Sequence, residues 1–209
     1  MKKSLATLTA ALVLASHGAA FAASTVDLTV SGLITPAACT PGLSSEVIDH
    51  GKISAKDLSP TSSTWLPQAL LTMTVSCDSE ALFALQATDN RLGSSNFPNA
   101  FGLGFINGTQ KLGEYQLEYR NPVSGDGTTI YPISSKDGGQ TWGNNEGAGT
   151  QPLELLGFRD TRTGQLGPIP LKNVTTEILV RTAIYRTDGM DLSNQVSLDG
   201  NATFEVKYL

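Results

Sequence analysis

Apolar and polar residues alternate one for one in several short stretches of this chain. Between Val26 and Ile34 the order is Val-Asp-Leu-Thr-Val-Ser-Gly-Leu-Ile, and between Leu71 and Cys77 it is Leu-Thr-Met-Thr-Val-Ser-Cys. A period of two puts successive side chains on opposite faces of a pleated backbone, so each stretch predicts a half-buried strand. Leu82–Ala87, Glu177–Tyr185 and Ala202–Leu209 also read as strands, and Val47–Ser54 reads as a short strand with a bend at Gly51. Phe101–Ile106 and Tyr115–Tyr119 predict a hairpin turning at Asn107-Gly108, a dipeptide that tolerates the positive φ of a tight turn. Between Asn121 and Pro170 the chain is rich in Gly, Pro, Thr and Asp, and strand fragments are expected there at Thr129–Ile133, Leu153–Phe158 and Gly167–Leu171. Thr40-Pro41-Gly42 reads as a turn and Ser59–Pro67 as a loop. No segment keeps helical spacing and no period recurs. Several short strands joined by turns predict an all-β chain folded as a sandwich of two antiparallel sheets.

The start of the chain carries an export pattern. Lys2 and Lys3 precede the apolar stretch Leu5–Ala15, and Ala20-Phe21-Ala22 is a small-x-small cleavage site, so residues 1–22 are expected to be a signal peptide. The apolar stretch is too short for a membrane anchor, and no other stretch is long enough to span a bilayer. Export changes the reading of the two cysteines, Cys39 and Cys77, each of which closes an alternating run. They would be buried thiols or a redox pair in a reducing compartment; in an oxidising one, a bridge stapling two strands is expected. By the chain-entropy account, such a bridge contributes about 3–4 kcal/mol. Without the two signal lysines, 12 basic residues face 19 acidic ones, which argues against nucleic acid as a partner.

Order and spacing then carry a resemblance. An export signal is followed by a short alternating segment with Gly32, Ala37-Ala38-Cys39, Val47 and Gly51 four apart, and a strand ending Val75-Ser76-Cys77-Asp78. Tyr185 stands near a Thr-x-Gly turn, and the end reads Ala-Thr-Phe-Glu-Val-Lys-Tyr-Leu. Together these resemble the subunits of bacterial chaperone–usher pili, over residues 26–90 and 177–209. The longer middle is similar to fimbrial-like secreted proteins carrying a domain of unknown function. The resemblance implies an immunoglobulin-like sandwich, incomplete by one strand, over residues 32–209, with residues 23–31 as a donor segment. It implies that Leu28 and Val30 enter a neighbour's groove, with Gly32 following. It also implies partners: a periplasmic chaperone, an outer-membrane usher and neighbouring fimbrial subunits. The location implied is the periplasm in transit, then the fimbria at the cell surface. The final strand agrees on physical grounds: Phe204, Val206 and Tyr208 share one face, and an apolar last strand at a sheet edge invites another chain to pair with it.

Other chemistry is thin. Ser135-Lys-Asp137-Gly-Gly-Gln-Thr-Trp142 fits the Asp-box pattern and resembles the hairpins of sialidase propellers, where the aspartate holds a turn. It occurs once, so a structural hairpin is expected, with Asp137 and Trp142 as a sugar-contacting loop, touching a host glycan, as the alternative. Residues 23–209 contain a single histidine, His50, too few for a two-histidine metal site or a secure triad. Asp188, Asp191 and Asp199 lack the spacing of a Ca²⁺ loop. No catalytic role, metal or cofactor is expected. The expected function is a fimbrial structural subunit assembled by donor-strand exchange and contributing to adhesion; the alternative is a self-contained carbohydrate-binding β-domain.

Overall fold

The computed structural model describes residues 28–30, 38–164 and 166–209, and the chain divides between Ile34 and Thr35 into two units. The expected signal peptide, Gly32 and most of the Val26–Ile34 run lie outside the described residues. All of the described strands belong to the second unit.

Among the described residues fourteen strands follow one another: β1 (Cys39–Leu43), β2 (Thr64–Trp65), β3 (Ala69–Ala81), β4 (Phe83–Asp89), β5 (Phe101–Gly102), β6 (Phe105–Ile106) and β7 (Gln110–Lys111), then β8 (Gly113–Ser124), β9 (Tyr131–Ser135), β10 (Gly143–Asn144), β11 (Gly149–Thr150), β12 (Leu155–Arg159), β13 (Leu171–Ile184) and β14 (Ala202–Tyr208). The first sheet has the order β1-β3-β13-β8-β11, with β2 against β13 and β5 against β8. The second has the order β10-β9-β12-β4-β14, and β6 pairs with β7 alone. Every pairing is antiparallel.

The inward face of β13 is Val174, Thr176, Ile178, Val180, Thr182 and Ile184, all buried and all β-branched. Such side chains are stiff at χ1 and pack well on a pleated surface, which explains a strand of this length. They meet Met73 and Val75 of β3 and Leu117 and Tyr119 of β8 in one core with Phe83, Leu85, Leu156 and Phe158 of the second sheet. The order β1-β3-β13-β8 is that of the A, B, E and D strands of an immunoglobulin fold, with β4 and β14 in the places of C and F. Among the described residues nothing occupies the place of the seventh strand, beside β14.

The middle of the chain, loosely defined by its sequence, adds β9, β10 and β12 to the second sheet on the side of β4 away from β14. Several details differ from the sequence-based expectation, including a two-residue strand, β2, inside the expected loop Ser59–Pro67. Thr40-Pro41-Gly42 is not a turn but the middle of β1, paired with Thr74–Ser76. Proline survives there because β1 is an edge strand, where one residue in two needs no ladder donor. Val47–Ser54 forms no strand; Gly51 has φ 65 and the segment leads into a single 3₁₀ turn, Ala55–Asp57. Gly167–Pro170 is also irregular, and β13 begins at Leu171. The Asn107-Gly108 turn forms as expected, with φ 50 and 86, but it joins the short β6 and β7 rather than the long strands.

Candidate functional site: an open edge beside an apolar cleft

A sheet edge is a row of unpaired N–H and C=O groups, and folded chains blunt such rows. Three of the four outer edges of the two sheets are blunt here. β10 and β11 are two residues long, and β1 carries Pro41 at its centre. β14 is different: seven residues, no proline, and Phe204 and Val206 only half buried.

Register shows which of its groups are free. Asn90 N–H donates to Asn201 O at 3.0 Å and Leu209 N–H to Leu82 O at 3.1 Å, at the two ends of the β4–β14 ladder. Alternation in an antiparallel pair then turns the N–H and C=O of residues 203, 205 and 207 toward β4. Those of Ala202, Phe204, Val206 and Tyr208 point to the open side. The same residues turn their side chains inward, and Ala202, Phe204 and Val206 pack against the core.

Opposite this edge lies β1. Cys39 and Cys77 face each other in register and form the disulfide, their Cα atoms 3.9 Å apart. Ala38 O accepts from Asp78 N–H and Ser44 N–H donates to Thr72 O, so positions 38, 40, 42 and 44 face β3. Cys39 and Cys77 thus form a non-hydrogen-bonded pair, the kind that brings side chains closest. Cys39 N–H, pointing away from β3, donates to the Tyr208 hydroxyl at 2.7 Å. That bond closes one end of the gap between the sheets.

From there the gap widens into a cleft of about 190 Å³. Leu43, Ile48, Leu71, Leu103, Tyr115, Leu117, Ile178, Val180, Leu198 and Phe204 give it an apolar lining, while Glu46 and His50 stand among its polar residues. His50 Nε2 lies 3.1 Å from Thr182 Oγ1. Leu198 also borders a second cleft of about 460 Å³, walled by Leu58, Leu112, Ile184, Leu192 and Val196. The entry into β14 is fixed by Arg91, whose guanidinium pairs with the Asp199 carboxylate at 2.8 Å. Asp199 N–H donates to Leu103 O, and a side chain at Gly200 would press on Leu103 and Tyr115 at 3.0 Å.

Of the residues singled out by sequence, Phe204, Val206 and Tyr208 lie together on this edge, while Cys39 and Cys77 stand across from it. Leu28 and Val30 are 89% and 88% exposed. Asp137 and Trp142 sit elsewhere, in the β9–β10 hairpin. The Asp137 carboxylate accepts from Ser135 Oγ, Gln140 N–H, Thr141 N–H and Thr141 Oγ1 at 2.6–3.1 Å, and these bonds, led by the Thr141 hydroxyl, hold its pKa well below the usual range. Gly138 and Gly139 take φ 74 and 92, and the Trp142 indole N–H donates to Gly139 O at 3.1 Å. The Trp142 ring packs over Gly157, where a Cβ would lie 3.0 Å from it. These bonds hold a hairpin. The far wall of the cleft does not emerge from the sequence. Tyr115, Leu117, Ile178 and Val180 are legible as alternate positions of their strands, but Ile48 and Leu198 come from irregular segments with no periodic signal. Among the described residues no group of three or more His, Cys, Asp or Glu is placed to hold a metal, and no helix is long and apolar enough to cross a membrane.

Residues 28–100 match a family described as a protein of unknown function, DUF1120. Over its whole length the chain is 28% identical to Protein GltF of Escherichia coli K12, covering 99% of that protein. Over 90% of its length it is 26% identical to the uncharacterized protein YhcF of the same organism, covering 92% of it. The chain is thus similar, nearly end to end, to two proteins of one bacterium whose names state no activity.

Proposed function

We propose that this protein is a structural subunit of a bacterial fimbria or fimbrial-like surface assembly, completed by a strand from another chain. The observation that carries the reading is the β14 edge. It is the long, apolar, proline-free edge of a sandwich whose other edges are blunt, and it borders a cleft running into the core. β-Strand addition fits that combination: main-chain hydrogen bonds give affinity, and a row of pockets takes alternate side chains. In transit through the periplasm the strand comes from a chaperone; after delivery to an outer-membrane usher it comes from a neighbouring subunit. Phe204 and Val206 line the acceptor side, and the disulfide holds β1 as the opposite wall. Adhesion follows from assembly at the cell surface.

Expression of the full chain in a bacterial periplasm, alone and with a chaperone from a fimbrial gene cluster, tests this. The expected result is degradation or aggregation alone and a soluble one-to-one complex with the chaperone. A stable monomer at equal yield in both strains contradicts it.

A further inference from the structure

The open edge of β14 begins at Ala202, and the chain before it, residues 185–201, runs from β13 without helix or strand. Two points pin this segment. At the first, Asp191 N–H donates to Gln110 Oε1 at 3.2 Å and Asp191 O accepts from Asn107 Nδ2 at 2.8 Å. At the second, Arg91 Nε and Nη2 donate to the two Asp199 carboxylate oxygens, each at 2.8 Å, and Asp199 N–H donates to Leu103 O at 3.0 Å. Between the pins, Ser193 bonds back to Asp191, and the backbone of residues 194–198 makes no hydrogen bond to a described residue. Apolar contact is what holds this stretch down. Leu192 and Val196 pack against the core, and the cleft they wall also reaches the buried Leu112 and Ile184. Among the described residues Leu198 alone borders both that cleft of about 460 Å³ and the one of about 190 Å³ beside β14. A segment fixed at both ends and unbonded in its middle opens at low free-energy cost.

We propose that residues 192–198 form a gate, hinged at Asp191 and Asp199, whose Leu198 side chain divides the space beside β14 from the larger cleft beyond it. This rests on the strand-addition reading of the β14 edge. Closed, the gate leaves an added strand the stretch beside residues 202–206. A strand that runs on past Ala202 meets Leu198 and has to lift it. Open, the two clefts become one groove, with Ile48 and Ile53 on its far wall and Leu112 and Ile184 beneath. The occupant is an extended strand with apolar side chains at alternate positions. The gate thereby links the length of that strand to a cost of opening: a short strand adds to the closed state, and a long one selects the open state.

The test is refolding of the full chain from denaturant with synthetic peptides of alternating valine and threonine, read as native monomer carrying one peptide. One peptide has about five residues, matching residues 202–206, and the other about nine. Leu198→Ala removes the partition and Arg91→Ala frees the hinge at Asp199. Leu70→Ala, on an exposed side chain of β3, is the control. Both gate variants are expected to raise capture of the longer peptide about fivefold or more over the parent, and to leave capture of the shorter one within about twofold. The control should leave both within about twofold. Equal changes for the two lengths, no gain for the longer one, or the same gain in the control overturn the gate and leave strand addition standing. A gain with Leu198→Ala alone overturns the hinge at Asp199, and with it the gate as a hinged unit. No capture of either peptide by parent or variants overturns strand addition, and the gate falls with it.

Discussion

Asp126 and Asp137 hold their turns as carboxylates, and this ties the stability of the chain to pH. Asp126 accepts from the Ser124 hydroxyl and Thr128 N–H, and these bonds, the hydroxyl first, lower its pKa from the ordinary 3.8 to about 2. Asp137 is lowered further by its own donors. A folded-state pKa below the unfolded one gives stability that is complete above the unfolded value and fades as pH falls through the folded one. Chemical denaturation should therefore show a midpoint insensitive to these two groups above about pH 5 and declining below about pH 4. Asp137→Asn should lower the midpoint at neutral pH and flatten the acid decline, because an amide cannot accept all four bonds; an unchanged pH profile would remove Asp137 as a turn-holding charge. The role of this residue is legible in the sequence, since Ser-x-Asp-x-Gly-x-Thr-Trp names its own donors. Pro41 misleads for the opposite reason: proline next to glycine signals a turn locally, and only tertiary pairing reveals an edge strand that tolerates it.

At the scale of elements, alternating or continuous apolar runs locate β3, β4, β13 and β14, although β13 begins at Leu171, well before the expected Glu177. The same reading fails for Val47–Ser54 because irregular segments that line a cleft obey no period. Two predictions belong here. Phe204 is half buried beside the open edge, so Phe204→Ala should cost about 1–2 kcal/mol in the chain alone, less than a fully buried phenylalanine. The same change should lower recovery with a chaperone or peptide by a larger factor, since the cleft loses a wall. Replacing Cys39 and Cys77 together with serine removes a closure of 38 residues and should cost about 3–4 kcal/mol in equilibrium unfolding. That change should also loosen β1, which pairs with β3 and otherwise meets β14 through the Tyr208 hydroxyl. A double variant as stable as the parent would show that β1 is held without the bridge.

For the molecule as a whole, an immunoglobulin-type sheet order with no strand beside β14 among the described residues accounts for why so apolar a segment as β14 sits at an edge. The fold class is readable from short alternating runs and turn dipeptides, and the last strand's face from Phe204, Val206 and Tyr208. The cleft is not, because it is assembled from β1, β3, β8, β13, β14 and irregular segments far apart in sequence. Whether the β14 edge is open can be read by amide hydrogen exchange on the full chain, resolved by residue along that strand. In the unpartnered chain the N–H groups of Thr203, Glu205 and Lys207 should be protected by β4, while those of Phe204 and Val206 exchange fast and become protected when a completing strand is added. Protection of Phe204 and Val206 in the chain alone would mean that the edge is already covered and that no strand from another chain is needed to complete the sandwich.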